Sequence, residues 1–189
     1  SLFDYTDDEG NFNNIVDLVE SHLKSNPDDS LKLELTKIKI DFYLRNFDYS
    51  KAEKLIPSLL ESPSNYFKNV GYVRKAIFLL NTGNTKFSFE YFLRAYNYSK
   101  VKNDKKEMAI ILNGLGNLYS MDSNIDKAIS YYLNAYNHLP DKNYIHEKNI
   151  ILNNLTSAYN SIGKIEVSKY YLDLHRKLMN TIPKNEIIK

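Results

Sequence analysis

The 189-residue chain contains no cysteine and little proline or glycine, with five and six residues respectively. Without cysteine, the chain forms no disulfide framework and no zinc site with thiolate ligands. Scarce proline and glycine favour helices, because both residues destabilise helix interiors. The composition is 43% hydrophobic and 25% charged, which is typical of a folded globular chain and argues against disordered or collagen-like classes.

The chain also lacks a strong charge of one sign, since its formal net charge is +2. Arginine, which recognises phosphates and base edges with two parallel hydrogen bonds, occurs only four times. Both observations argue against direct nucleic-acid binding. No apolar run approaches the roughly 18 residues that a membrane-spanning helix needs, so we expect no membrane insertion of this segment.

The start of the chain is acidic. Residues 1–34 carry nine acidic residues and two lysines, and we interpret residues 1–11 as a flexible acidic N-terminus. A calcium loop fits poorly, because Tyr5 and Val16 stand where that motif requires acidic ligands. No signal peptide is recognisable within the sequence. The compartment stays open: we favour the cytoplasm, with an extracytoplasmic sensor region as the alternative.

Two short sequence matches reveal an internal repeat. Residues 93–97, LRAYN, recur as LNAYN at 133–137, and residues 110–115, IILNGL, recur as IILNNL at 150–155. Both offsets are 40 residues. Two independent matches at one offset indicate a tandem array built from one kind of structural unit.

Residues 109–142 resemble a tetratricopeptide repeat, a family whose pattern distributes small and large residues over two packed helices. Leu112 replaces the usual tryptophan, and the matching positions that follow are Leu115, Gly116, Tyr119, Ala128, Tyr132 (for phenylalanine), Ala135 and Pro140. The resemblance implies antiparallel helix pairs in which alanine or glycine at the crossing lets the helices approach closely. Neighbouring pairs would then stack, because one pair alone cannot bury its apolar face.

The fold class that we predict is all-α, a right-handed α-α superhelix of antiparallel helix pairs with about nine helices. The hydrophobic period and the turn residues predict helices near 12–25, 30–45, 49–62, 66–81, 85–100, 105–121, 125–138, 145–161 and 165–180.

The predicted repeat domain spans residues 12–182. Residues 183–189 form a C-terminal tail or the start of a further unit, and we expect the chain to be a fragment of a longer protein. Half a unit at 12–27 precedes four units, which lie near 30–64, 66–104, 105–142 and 145–182.

Residues for catalysis or metal binding do not assemble into a recognisable site. No two histidines have the spacing that puts two metal ligands on one helical face. No phosphate-binding glycine loop, nucleophile elbow or kinase signature is present. We therefore predict no enzyme activity, no cofactor and no metal site, with an unrecognised enzyme kept as an alternative.

In tetratricopeptide repeats the first helix of each pair lines a concave groove that commonly binds peptides. An asparagine amide both donates and accepts hydrogen bonds, so asparagines in one groove would pair with the N–H and C=O groups of an extended peptide. Arg45 and Arg74 would hold a peptide carboxylate. The alternative is that these side chains simply meet water. The candidate groove residues are Lys37, Asp41, Arg45, Arg74, Asn81, Asn113, Asn117, Asn153, Asn154 and Asn160.

The function that we favour is a non-catalytic scaffold that binds a peptide or protein segment. Repeats of this long period are similar to those of bacterial signalling proteins, where they sense a partner for an attached output domain. We therefore expect the sensing or interaction region of a larger bacterial signalling or regulatory protein. The alternative is a structural assembly module, in which apolar stripes that contain Ile77, Ile110 and Ile150 pair two copies as a homodimer.

Overall fold

A computed structural model describes residues 9–139 and 144–180. Throughout these residues the chain forms nine α-helices and no strand. The predicted all-α fold class is confirmed, and each described helix begins and ends within three residues of its predicted bounds. The helices are α1 (Glu9–Ser25), α2 (Asp29–Arg45), α3 (Tyr49–Leu60), α4 (Asn65–Asn81), α5 (Thr85–Lys102), α6 (Lys105–Met121), α7 (Ile125–His138), α8 (Ile145–Ser161) and α9 (Ile165–Met179).

Parts of three predictions lie outside the described residues. These parts are residues 1–8 of the acidic N-terminus, Pro140 at the end of the repeat that best matches the family pattern, and the tail at 183–189. Among the helices that the structure describes, none is both long and apolar enough to cross a membrane.

Short polar side chains cap the N-termini of several helices. The Asp28 carboxylate accepts the Leu31 backbone N–H at 2.9 Å and caps α2. The Asn124 side-chain oxygen accepts the Lys127 backbone N–H at 3.3 Å and caps α7. These bonds satisfy N–H groups that have no partner inside the helix, and they fix where α2 and α7 start.

One left-handed residue closes the turn after α2, α4, α6 and α8. Phe47, Gly83, Ser123 and Gly163 have φ angles of 59°, 84°, 59° and 73°. In each turn this residue and the next donate their N–H groups back to carbonyls of the preceding helix, as in the 3.1 Å bond from Ser123 to Ser120. The last three left-handed residues are 40 positions apart in the chain, so the sequence period recurs in the backbone conformation.

Replacing Ser123 with glycine is expected to stabilise the protein. A left-handed conformation costs a non-glycine residue about 1–2 kcal/mol, and the larger entropy loss of glycine on folding offsets about 0.5–1 kcal/mol of that relief. The net gain should be roughly 0.5–1 kcal/mol in a urea titration. Ser157→Gly, at an exposed helical position of α8, should lower stability instead. A loss of stability for both variants would contradict the turn geometry.

The chain divides into two compact units, one that ends at Asn84 and one that begins at Thr85. The predicted repeat at 66–104 therefore contributes α4 to the first unit and α5 to the second. In the first unit α2, α3 and α4 pack on one another, and α1 packs on α2. Phe12 of α1 stacks on Phe42 of α2 with ring centroids 3.7 Å apart, which anchors α1.

In the second unit each helix packs on the next, and α6 also contacts α8. Two glycines of α6 allow its close approach to α5 and α7. A Cβ atom added at Gly114 would lie 2.2 Å from the Phe92 ring of α5, and one added at Gly116 would lie 2.4 Å from the Tyr132 ring of α7. The small residue that the repeat pattern requires at Gly116 therefore makes room for a buried aromatic ring.

Candidate functional site

Three asparagines and one tyrosine meet in the second unit, between α6 and α8, which are the first helices of two successive repeats. The Asn154 side-chain amide on α8 donates to Oδ1 of Asn113 at 2.8 Å and to Oδ1 of Asn117 at 3.2 Å, both on α6. The Tyr132 hydroxyl, from α7, donates to the same Oδ1 of Asn117 at 2.8 Å. We call these four residues the amide cluster.

Helical spacing and one close helix contact bring these side chains together. Asn113 and Asn117 are four residues apart, so they lie on one face of α6. Tyr132 reaches Asn117 because its ring packs against Gly116, the adjacent residue of α6. Burial raises the pKa of Tyr132 to about 12, against a smaller lowering by a hydrogen bond with Ser120. The hydroxyl therefore keeps its proton at neutral pH and remains a donor to Asn117.

The internal bonds of the amide cluster fix which way each amide points. Both oxygens on α6 are occupied by donors, so the amino groups of Asn113 and Asn117 are directed away from those bonds. Among the described residues, these two amino groups and the carbonyl oxygen of Asn154 make no other hydrogen bond. All three asparagines are partly exposed. The cluster thus leaves two donor groups and one acceptor that its internal bonds do not use.

Apolar side chains are exposed on the same two helices. Met121 of α6 has 55% of its surface exposed, and Ile150 of α8 has 41%. Exposed apolar groups beside partly satisfied amides are a usual composition for a binding surface.

Two further predicted asparagines of the second unit lie outside the amide cluster. Asn153 and Asn160 are both exposed, and the asparagine of α8 that hydrogen-bonds to α6 is Asn154. The repeat aligns Asn153 with Asn113, but equivalent positions in two units need not contact each other. The helix surface that faces a neighbour decides the contact, and on α8 that surface carries Asn154.

The first unit holds the other predicted residues, and two of them bind each other. Nε and Nη2 of Arg74 on α4 each donate to a carboxylate oxygen of Asp41 on α2, both at 2.9 Å. The Arg74 side chain is only 6% exposed, against 34% for Asp41. The sequence suggested that Arg74 holds a peptide carboxylate or meets water. The structure shows neither, because the Arg74 side chain is buried against Asp41. The carboxylate that it binds comes from the adjacent helix.

The remaining candidates of the first unit are nearer to solvent. Lys37 donates to Glu34 of its own helix at 2.6 Å. Arg45 and Asn81 are exposed, and the Arg45 Nε reaches the backbone oxygen of Asp41 at 3.4 Å. These three residues form no cluster comparable to that of α6, α7 and α8.

The sequence analysis named Asn154 as a groove residue but did not predict its contact with α6, and it did not include Tyr132 in the site. Tyr132 had a signal, because the repeat pattern pairs it with Gly116 and so places its hydroxyl beside Asn117. The contact of Asn154 with α6 had none, since it depends on how α8 rotates against α6. In the part of the chain that the structure describes, no group of three histidine, aspartate or glutamate side chains has the arrangement of a metal site.

The fold and this surface define an all-α protein of repeated helix pairs. Its second unit carries a cluster of asparagines on α6 and α8, the first helices of two repeats. The sequence matches no protein-family model, and no curated protein matches it. Among solved structures, the chain is similar to the crystal structure of BtubC (BKLC) from P. vanneervenii. The two share 18% sequence identity with a TM-score of 0.63, over 94% of this chain and 78% of that one. At this identity the likeness supports the fold alone.

Proposed function

We propose that the chain is a non-catalytic repeat protein of the tetratricopeptide type, and that the amide cluster of its second unit binds an extended peptide segment. The observation that carries this proposal is the fixed orientation of the three amides, which leaves two donors and one acceptor for a ligand. A peptide backbone offers the complementary groups at every residue.

The spacing of the donors fits an extended chain. Asn113 and Asn117 are separated by four residues of helix, a rise of about 6 Å at 1.5 Å per residue. In an extended peptide, carbonyl groups on one edge recur every two residues, or about 6.6 Å. A segment that runs along α6 can therefore accept a hydrogen bond from each amino group. An N–H group of the same segment would donate to the Asn154 oxygen on α8.

The hydrogen bonds alone are too weak to hold a peptide. Three neutral bonds contribute about 0.5–1.5 kcal/mol each, whereas association costs at least about 4 kcal/mol in lost freedom. Burial of the exposed side chains of Met121 and Ile150 must supply the rest. We therefore propose a ligand that has apolar side chains on the edge that faces these two residues and that is selected little by charge.

The biological role that we propose is the sensing or interaction region of a larger bacterial signalling or regulatory protein. It rests on the resemblance of the long-period repeats to those of such proteins. The second candidate is a homodimer through the same surface, which the exposed apolar side chains of Met121 and Ile150 favour. Light scattering separates the two, because a dimer would double the mass without any added peptide.

Selection from a phage-displayed library of random linear peptides tests the binding role. We expect neutral, apolar-rich peptides to be enriched on the wild-type chain. Asn113→Asp and Asn117→Asp, made singly, keep the oxygen that accepts from Asn154 but replace the outward amino group with a carboxylate oxygen, which repels a peptide carbonyl. Each should weaken binding of a selected peptide by about tenfold or more, with little change in melting temperature.

The matched control is Asn137→Asp, which adds the same charge at an exposed position of α7, the second helix of its repeat. This variant should bind the selected peptide as the wild type does. Equal affinity for all four proteins, or a library that yields no binder, would refute the proposed role of the amide cluster.

A further inference from the structure

A second concave feature lies elsewhere on the second unit and shares no residue with the amide cluster. It is an open pocket of about 440 Å³ formed by α5, α6 and α7. Its volume lies within the range of about 300–1,000 Å³ that is usual for small-molecule sites. The lining residues are Leu93, Tyr96, Leu112, Leu115, Lys127, Ser130, Tyr131 and Asn134.

The internal repeat supplies a reference for this pocket. All five apolar or aromatic lining residues recur unchanged 40 positions later, as Leu133, Tyr136, Leu152, Leu155 and Tyr171. Part of the geometry recurs as well. Tyr131 stacks on Tyr119 with ring centroids 5.2 Å apart, and Tyr171 stacks on Tyr159 with centroids 5.4 Å apart. The same framework is therefore built in both repeats.

The three polar lining residues are not repeated. Lys127, Ser130 and Asn134 correspond to Val167, Tyr170 and Leu174 in the next repeat. In the next repeat two of these positions carry aliphatic residues and the third carries a tyrosine. Packing of the helix pair does not require the polar set, since the next repeat forms its own helix pair, α8 and α9, without it.

These polar residues form one stripe of α7 that faces the apolar side of the pocket. Their spacings of three and four residues place them along a single helix face. The Lys127 ammonium lies 4.4 Å from the centroid of the Tyr119 ring, and no carboxylate among the described residues pairs with it. The pocket therefore combines an apolar floor of buried Leu112 and Leu115 with one uncompensated cation and two neutral hydrogen-bonding groups.

We propose that this pocket binds a small amphipathic carboxylate. The apolar body of the ligand packs against Leu112, Leu115 and the Tyr131 ring, and its carboxylate pairs with the Lys127 ammonium. Ser130, three residues from Lys127 on the same face of α7, donates a hydrogen bond to the same carboxylate. A single cation matches a single negative charge, and the walls suit a body that is aromatic or aliphatic.

Titration of the isotope-labelled full chain with phenylpropionate, followed by backbone amide NMR, tests this proposal. Phenylpropanol, which has the same body without the charge, serves as the comparison ligand. We expect saturable shifts at the backbone amides of the lining residues for phenylpropionate, and an affinity up to about fivefold above that for phenylpropanol, because solvent screens the exposed Lys127. Asn113→Asp, which alters only the amide cluster, should leave both titrations unchanged.

The internal repeat also supplies the variant that removes the site. Lys127→Val, Ser130→Tyr and Asn134→Leu together give α7 the residues of the next repeat, and this triple variant should lose phenylpropionate binding while the chain stays folded. Lys127→Met alone keeps the aliphatic stem and should reduce the preference for the acid over the alcohol to about onefold. Equal binding of the two ligands by the wild type, unchanged binding by Lys127→Met, or no saturable shift would overturn the proposal.

Discussion

Gly114→Ala is expected to destabilise the second unit by about 2 kcal/mol. The new methyl group would lie 2.2–2.8 Å from three atoms of the Phe92 ring, which is fully buried. Overpacking of this kind costs typically about 1–3 kcal/mol, and we expect the upper end because the ring is fully buried and three of its atoms would clash. Alanine regains about 1 kcal/mol of helix propensity. Urea denaturation should therefore show a clear net loss.

A rescue variant separates the clash from other effects of the substitution. Phe92→Leu removes the ring, so the double variant Gly114→Ala with Phe92→Leu should be more stable than the sum of the two single losses predicts. Ser157→Ala at an exposed position of α8 should change stability only slightly and serves as a control for helix propensity. A Gly114→Ala protein at least as stable as the wild type would show that α5 and α6 are not in the close contact described.

Asp41→Ala is expected to destabilise the first unit by about 2–3 kcal/mol. It would leave the Arg74 guanidinium, of which 6% of the side chain is exposed, without the carboxylate that binds it through two hydrogen bonds. Breaking a buried ion pair from one side costs about 3–5 kcal/mol. We expect less here because the Asp41 side chain is 34% exposed and solvent screens part of the interaction.

The control for this prediction is an ion pair of the same kind at the surface. Asp173 and Arg176 lie 3.4 Å apart with side chains 63% and 67% exposed, so Asp173→Ala should have no measurable effect on stability. Replacing both partners of the buried pair, as Asp41→Leu with Arg74→Met, should recover much of the loss because no charge is left buried. Equal effects of Asp41→Ala and Asp173→Ala would mean that Arg74 does not depend on Asp41.

The helices and part of the site follow from the sequence. Periodicity and turn chemistry place all nine described helices, because each apolar stripe and each turn such as that at Gly163 is a local feature. The family pattern also places Gly116 against Tyr132. Asn113 and Asn117 share a face of α6 simply because they are four residues apart.

The contacts between residues distant in the sequence could not be predicted from the sequence. The Asp41–Arg74 pair joins residues 33 positions apart, and nothing in the sequence indicates that Arg74 will be buried or that the two will pair. The choice of Asn154 rather than Asn153 depends on the rotation of α8 against α6, which the packing of the whole helix surface sets. The pocket of the second unit does not follow either, because its lining residues come from three helices, α5, α6 and α7, whose relative packing the sequence does not give.

Side-chain amide NMR tests most directly whether the amide cluster binds a peptide backbone. On addition of a library-selected peptide, we predict that the side-chain amide proton resonances of Asn113 and Asn117 shift to lower field, as expected for new hydrogen bonds. Both should saturate at the same peptide concentration. The resonances of Asn97 and Asn137 should not shift, because both residues are exposed on α5 and α7, the second helices of their repeats, outside the amide cluster. Saturable peptide binding that leaves the Asn113 and Asn117 resonances unmoved would contradict the proposed function.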